Sequence, residues 1–253
     1  MPGADILSGY FPRFLLILLR SSVFLAFLPI LGSKTLPATF RIGLAVAIAA
    51  LLTPVVDLRP GENDAAILVL REVVLGMVLG LAVRFVFFGI EIAGQMISDS
   101  MGLSIATVFN PEMGQSTEIA RLLAILATLL FLVTDVHHDL IALFVRSYDL
   151  VPVGTGDVRA LVGEGIALTG KVFVLAIKLG APVVVGMVTL NLLLGFVTKA
   201  TPQINIFFIS FPLYILLGFL ILMLALPAYV AAMGGSFGEM RSEMERVLSM
   251  ARR

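Results

Sequence analysis

The sequence predicts an all-α membrane protein made of bent, proline-broken helical hairpins, and three observations lead to this fold class. Hydrophobic residues make up 59% of the 253 residues and charged residues only 13%, whereas soluble domains average roughly 45–50% and about 25%. The apolar residues form long runs that lack the strict alternation of a half-buried strand. Because lipid offers no water to backbone groups, such runs are expected to form helices.

The apolar runs define the predicted helices in chain order. They cover residues 14–31, 42–56, 65–90, 119–133, 172–197 and 204–232, with a weaker run at 140–151. The runs 42–56 and 119–133 hold 15 residues each. At about 1.5 Å per residue they reach near 22 Å, less than the roughly 30 Å of a hydrocarbon core, so we expect neither to span comfortably.

Five prolines interrupt the apolar runs and predict bends. They are Pro29, Pro54, Pro182, Pro212 and Pro227. Each removes a backbone donor and disfavours a straight helix through its position. Kinked hairpins are therefore expected rather than straight rods.

Polar residues inside the apolar runs predict protein neighbours. They are Arg20, Arg71, Glu72, Arg84, Lys178 and Asn191. Exposing a charge to lipid is costly, so such side chains face protein or water. Gly76 and Gly80 form a GxxxG motif, which places two missing side chains on one helix face and lets a second backbone approach. In a glycine-rich apolar chain this spacing also arises by chance.

The composition provides few residues for catalysis or for metal binding. The chain has no cysteine and two histidines, which excludes thiolate sites and leaves few imidazoles for zinc. His137 and His138 are adjacent, and adjacent helical residues point about 100° apart, which is poor geometry for one metal ion. Catalytic trios, phosphate-binding glycine loops and the HExxH motif are absent from the sequence. We predict no enzymatic activity, no metal and no cofactor.

The charges balance over the whole chain but differ between its connections. Lys and Arg total 17 against 17 Asp and Glu, so net charge gives no reason to bind nucleic acid. Lys34 and Arg41 make residues 32–41 basic, whereas residues 57–64 are acidic. The positive-inside rule puts the first connection on the cytoplasmic side and the second outside.

Two polar interruptions predict exposed turns with functional potential. Asn110 and Pro111 initiate a turn, so residues 109–116 are expected to connect two helices. The apolar side chains of Phe109 and Met113 in this loop can occupy an opening between other elements and can also move out of it. A plain connection is the alternative.

The second interruption lies at residues 199–205. There Pro202 breaks the helix, and the amides of Gln203 and Asn205 need a partner or water. The carboxyl-terminal tail differs from both interruptions, because Phe237, Met240, Met244, Val247 and Ala251 recur at helical spacing among charged residues. It predicts a water-exposed amphipathic helix, either an ordinary end helix or one that binds a partner.

An ordered set of motifs resembles the FliR family of flagellar type III export-gate proteins. The set comprises Gly80-Leu-Ala-Val-Arg84, Ala93-Gly-Gln-Met-Ile-Ser98, Met101-Gly-Leu-Ser104, Phe109-Asn-Pro-Glu-Met-Gly114, Leu130-Phe-Leu132, His137-His138, Ala200-Thr-Pro-Gln-Ile-Asn205 and Ser210-Phe-Pro-Leu213. The residues 36–45 look like the first hairpin turn of that family. Each piece is weak alone, but their order over essentially the whole chain is specific.

The resemblance implies a gating subunit of a hetero-oligomeric spiral export gate. Residues 1–165 would be a FliP-like helical hairpin region with a plug loop at 109–116. Residues 166–235 would be a FliQ-like hairpin, followed by the amphipathic tail 236–253. One copy would join several copies each of FliP-type and FliQ-type subunits in the inner membrane, at the flagellar basal body. Other expected partners are FlhB-type and FlhA-type membrane proteins, exported unfolded flagellar proteins and membrane lipids, but no nucleic acid.

The resemblance also assigns roles to residues. The plug or gating loop falls on Phe109, Asn110, Pro111, Glu112, Met113, Gly114 and Gln115. Subunit packing is expected at Gly76, Gly80, Arg84, Glu91, Gln203 and Asn205.

Two other functions remain open at this point. A small-solute secondary transporter would use Arg71, Glu72, Arg84 and Glu91 as its site. Arg71 and Glu72 diverge on a helix, whereas Arg84 and Glu91 share a face. Packing contacts to sister subunits are the favoured explanation for these residues. A virulence injectisome subunit is the nearer alternative, since both export branches share much of the pattern.

Overall fold

A computed structural model describes residues 2–29, 36–56, 64–104, 117–201, 203 and 205–252. Over these ranges the chain forms seven helices and no β-strand. They are α1 Pro2–Phe27, α2 Ala38–Leu52, α3 Ala65–Ser100, α4 Glu118–Val133, α5 Val136–Leu150, α6 Val158–Ala200 and α7 Ile206–Ala251. The predicted all-α fold class is confirmed.

Three helices are much longer than a bilayer requires. The helices α3, α6 and α7 have 36, 43 and 46 residues. At about 1.5 Å per residue their lengths are roughly 54–69 Å, about twice the hydrocarbon core. Four of the described helices, α1, α3, α6 and α7, are long and apolar enough to cross a membrane, and α4 with α5 forms a bent pair that could count as a fifth span. The helix α2 has only 15 residues.

The long helices extend beyond the apolar runs that predicted them. The run 65–90 ends ten residues before α3 does, and α7 continues to Ala251. Both extensions keep a buried apolar face, which includes Ile97 in α3 and Met244 in α7. Helical periodicity with one apolar stripe is enough to continue a helix where overall hydropathy falls.

The prolines act in two ways. Pro29 and Pro54 follow the ends of α1 and α2, whereas Pro182, Pro212 and Pro227 lie inside helices that continue past them. In an apolar environment the helix satisfies nearly all backbone groups, so one lost hydrogen bond does not end it.

The chain forms two compact units, each assembled from separate segments. Unit 1 comprises Met1–Phe85, Asp135–Gly170 and Phe237–Arg253, and unit 2 comprises Val86–Thr134 and Lys171–Ser236. The predicted regions were defined by resemblance to other subunits and not by contacts within the chain. The division into 1–165, 166–235 and 236–253 therefore remains a prediction.

The predicted tail continues α7 as far as Ala251, and from Phe237 onward it contributes to unit 1. The side chains of Phe237, Met240, Met244, Val247 and Ala251 are buried. The Asp157 N–H donates to the Ala251 carbonyl at 3.1 Å. Exposed ion pairs add to this anchoring, with Arg246 Nε lying 3.4 Å from Glu164 Oε2. The tail is therefore part of the fold rather than a free extension.

Candidate functional site

The predicted plug loop lies outside the described residues, but the helices on both sides of it are described in unit 2. The loop residues Phe109 to Gln115 fall within the undescribed range 105–116. The preceding helix α3 ends at Ser100, and the following helix α4 begins at Glu118. We call these two helix ends, with the parts of α6 and α7 that pack on them, the loop frame.

The end of α3 has a defined cap. The Leu103 N–H donates to the Ser98 carbonyl at 3.0 Å, and the Gly102 N–H donates to the Asp99 carbonyl at 3.1 Å. Gly102 has φ 75°, a left-handed conformation that favours glycine. This pair of bonds is a Schellman motif, which fixes the direction in which the chain leaves the helix.

The capped end of α3 is seated on α7. Met101 is fully buried, and a Cβ placed on Gly218 would lie 2.6 Å from its side chain. A Cβ on Gly102 would lie 3.7 Å from the ring of Phe211. The missing side chain at Gly218 thus makes room for Met101, which ties the start of the loop to α7.

The start of α4 is held directly against α3. A Cβ on Gly94 would lie 2.9 Å from the backbone nitrogen of Ala120 and still closer to its Cα. Beside this crossing, the hydroxyls of Ser98 and Thr117 are buried without a hydrogen-bond partner among the described residues. The backbones at the two ends of the loop frame are therefore in contact, with no flexible side chain between them.

The helices α6 and α7 complete the loop frame. A Cβ on Gly89 would lie 2.9 Å from Leu175 of α6, and one on Gly180 would lie 3.7 Å from Met96 of α3. Gly186 of α6 similarly accommodates Ile221 of α7. The sequence reasoning singled out one glycine pair in α3 and missed these positions, since the side chains that fill them are distant in sequence.

Unit 1 contains a buried ion pair that the sequence did not predict as a pair. Arg20 of α1 donates from Nε to Glu72 Oε2 at 2.6 Å and from Nη2 to Glu72 Oε1 at 3.1 Å. The side chains are 0% and 1% exposed. The Arg20 guanidinium also lies 4.2 Å from the ring centroid of Tyr148.

The ion pair organises the connection between α5 and α6. Arg20 donates to the carbonyls of Ser147 and Val151, and the Gly154 N–H donates to Glu72 Oε1 at 2.8 Å. Arg71 donates to the Gly154 carbonyl at 2.7 Å. Every charge therefore meets a hydrogen-bonding group, which is the condition under which a buried ion pair is tolerated. We call Arg20, Glu72 and their backbone partners at Ser147, Val151 and Gly154 the Arg20–Glu72 cluster.

The predicted GxxxG motif contacts α1 of the same chain. A Cβ on Gly76 would lie 2.8 Å from the Arg20 carbonyl, and one on Gly80 would lie 2.6 Å from Cβ of Phe27. The glycine face is therefore occupied within the chain, next to the Arg20–Glu72 cluster.

The other predicted packing residues lie near surfaces. Arg84 is half-buried, and Glu91 of the same helix is exposed. Gln203 and Asn205 are exposed at the turn between α6 and α7. These four residues remain predictions for subunit contacts.

The hairpin of α6 and α7 exposes a broad apolar surface in unit 2. Its large side chains include Phe196, Phe208, Leu216, Met223 and Leu224, each at least 66% exposed. In α7 only 17% of the most apolar window is buried, against 67% in α3. A surface of this kind requires lipid or protein neighbours.

The adjacent histidines lie closer together than the sequence suggested. The ring centroids of His137 and His138 are 4.1 Å apart, and a carboxylate oxygen of Asp135 lies within 4.8 Å of a nitrogen on each ring. Asp135 has φ 55°, and its side chain and that of His138 are each 73% exposed. The three residues stand at the amino-terminus of α5, where the helix dipole disfavours a cation. The absence of a metal site stays a prediction.

Comparisons with known proteins find similarity to bacterial export proteins over most of the chain. Residues 11–240 match the family model described as bacterial export proteins, family 1. The flagellar biosynthetic protein FliR of Bacillus subtilis is 29% identical over 249 residues, which cover 95% of this chain and 96% of that protein. FliR of Caulobacter vibrioides is 33% identical over 83% of this chain and 87% of its own length. FliR of Escherichia coli is 29% identical over 92% of this chain and 91% of its own length.

Proposed function

The chain belongs to family 1 of the bacterial export proteins, and from this premise we propose that it forms part of the flagellar export channel and helps to gate it. It is a membrane-protein subunit of the flagellar type III export apparatus. The observation that carries the assignment is the match to FliR proteins over nearly the full length of both chains. The gating role goes further and rests on the loop frame.

We propose that the loop at 109–116 closes the channel in the resting state. Phe109 and Met113 would exclude water and ions from a constriction, and the thioether of Met113 would supply a deformable contact. Pro111 would limit the backbone states of the loop, whereas Gly114 would permit the change needed to move aside. The loop frame supports this role because a gating loop needs fixed ends. The helices on both sides of the loop meet backbone to backbone at Gly94 and Ala120.

FliP-type and FliQ-type subunits in the inner membrane are the proposed neighbours, at the basal body. The exposed apolar surface of the α6–α7 hairpin is the feature that favours them, together with the amides of Gln203 and Asn205 at its tip. FlhB-type and FlhA-type proteins are proposed as further contacts, and unfolded flagellar proteins as the transported substrates.

We further propose that the subunit is structural and has no catalytic role. The transporter alternative would need Arg71 and Glu72 free to bind a solute. Instead, Glu72 accepts from Arg20 and Gly154, and Arg71 donates to Gly154. The three FliR relatives named above are flagellar proteins, and no observation favours the injectisome alternative.

Deleting residues 110–114 tests the plug. We expect this deletion to increase ion leakage through the assembled gate, because it removes the turn that presents Phe109 and Met113. Leakage would be measured as conductance in bilayers that contain the purified complex. Deleting residues 58–62, five residues of another connection, is the matched control and should leave conductance unchanged. A complex that assembles normally without residues 110–114 and stays closed would remove the plug role.

A further inference from the structure

A cavity between α1 and α2 in unit 1 is not used by the proposed gating function. Its volume is about 290 Å³, and its lining includes Leu25 and Ala26 from α1 with Ala38, Arg41, Ile42 and Ala45 from α2. Three of these side chains are alanines, so the two helices pack without filling the groove between them. A volume near 300 Å³ is at the lower end for sites that hold part of an organic ligand.

Arg41 gives this apolar cavity a positive charge. The side chain is half-buried, its Nε is buried, and that atom has no hydrogen-bond partner among the described residues. The Ser22 hydroxyl in the same lining donates to the Leu19 carbonyl at 3.0 Å. The half-buried guanidinium therefore brings one positive charge to a lining whose described residues include no acidic side chain, so the cavity favours an anionic group.

We propose that the cavity binds an anionic phospholipid, with the phosphate at Arg41 and part of an acyl chain between α1 and α2. The inference depends on the membrane location and is independent of the gating role. Apolar walls favour a lipid over free phosphate or a carboxylate, because neither of those would use Leu25 and the alanines.

The surroundings of the cavity agree with this ligand. Phe40, Ile42 and Val46 expose apolar surface on α2 next to the cavity. Arg41 lies in the first turn of α2, where the helix dipole favours an anion. The basic connection 32–41 is expected on the cytoplasmic side, and basic pockets between membrane helices on that side bind acidic headgroups.

A single fluorescent reporter can measure the lipid preference. The chain contains no tryptophan, so Phe40→Trp places one indole beside the cavity without lining it. The full chain would be reconstituted in phosphatidylcholine vesicles with a minor share of brominated phosphatidylglycerol or, separately, brominated phosphatidylcholine. Quenching should show a roughly fivefold local enrichment of the anionic lipid, as expected for about one cationic contact.

Variants in the reporter background separate headgroup recognition from general membrane contact. Arg41→Gln should abolish the enrichment, whereas Arg41→Lys, which keeps the charge, should retain most of it. Arg159→Gln removes an exposed arginine elsewhere in unit 1 and is the matched control, with the enrichment unchanged. Ala26→Leu should also reduce the enrichment, because the larger side chain fills the groove.

Three results would overturn the proposal. Equal quenching by the two lipids, or an enrichment that survives Arg41→Gln, would show that Arg41 does not select the headgroup. Displacement by inorganic phosphate would indicate a free-anion site. Loss of the enrichment when FliP-type and FliQ-type subunits assemble on the chain would indicate that a partner protein, rather than lipid, occupies the cavity.

Discussion

Replacing Arg20 by methionine is expected to lower the free energy of unfolding by about 3–5 kcal/mol, because the substitution leaves a buried carboxylate without its partner. Glu72 would keep only the Gly154 N–H, the Val151 carbonyl would lose its donor, and the Ser147 carbonyl would keep only the Val151 N–H. Thermal and denaturant unfolding of the detergent-solubilised chain, followed by helical circular dichroism, would measure the loss.

The matched control for Arg20 is an exposed ion pair in the same unit. Arg241 lies 3.3 Å from Glu245, and the side chains are 54% and 48% exposed. Arg241→Met should change the free energy of unfolding by less than about 1 kcal/mol, since water already solvates both charges. An equal loss for the two methionine variants would contradict the role of burial.

A double variant separates charge from hydrogen bonding in the Arg20–Glu72 cluster. Arg20→Met with Glu72→Leu removes both charges, so it should recover part of the stability lost in Arg20→Met alone. Recovery should be incomplete because the Gly154 N–H and the Val151 carbonyl remain buried without partners, at about 1–3 kcal/mol for each unsatisfied group. A double variant less stable than either single variant would show that the ion pair itself is not the stabilising interaction.

Gly94→Ala is the second substitution with a large expected effect. The added Cβ would lie within 3.0 Å of the backbone of Ala120, a separation that real Cβ atoms essentially never show. Because backbone cannot rotate away as a side chain can, the helices α3 and α4 must separate. We expect a loss of about 1–3 kcal/mol in the free energy of unfolding, together with reduced flagellar protein export measured as secreted flagellin.

Gly170→Ala is the control for Gly94→Ala. A Cβ at Gly170 would meet nothing within 4 Å, so alanine should be neutral or should stabilise α6 by up to about 1 kcal/mol through its higher helix propensity. If Gly94→Ala behaved like Gly170→Ala in stability and in export, close contact within the loop frame would not be required.

Local patterns in the sequence were sufficient to predict the fold class, but not the pairing of distant residues. Hydropathy and period identified the long apolar helices, because those signals are contained in each segment. The pairing of Arg20 with Glu72 joins residues 52 positions apart. The sequence marked both residues as needing protein neighbours, yet no local rule identified each as the partner of the other.

Arg71 and Glu72 show that side-chain direction alone does not predict whether two residues bind the same group. The side chains of adjacent residues on a helix point in different directions, and this argues against a single solute site formed by both residues. In the structure both residues bind Gly154, because its N–H donates to Glu72 and its carbonyl accepts from Arg71. A peptide presents its donor and its acceptor in opposite directions, so two diverging side chains can hold one glycine between them.

The sequence predicts only part of the structure of the tail, again because its contacts are made with residues that are distant in the sequence. Spacing identified the apolar stripe that includes Phe237 and Met244, but periodicity does not reveal what covers a stripe. Burial of these side chains depends on segments of unit 1 that are far away in the sequence.

Native mass spectrometry of the assembled complex tests the central claim most directly. This chain would be co-expressed with the FliP-type and FliQ-type proteins of the same bacterium and extracted in detergent through a tag on this chain. Membership in an export gate predicts a complex that contains one copy of this chain and several copies of each partner. A stable, defined complex that contains only this chain would contradict the account.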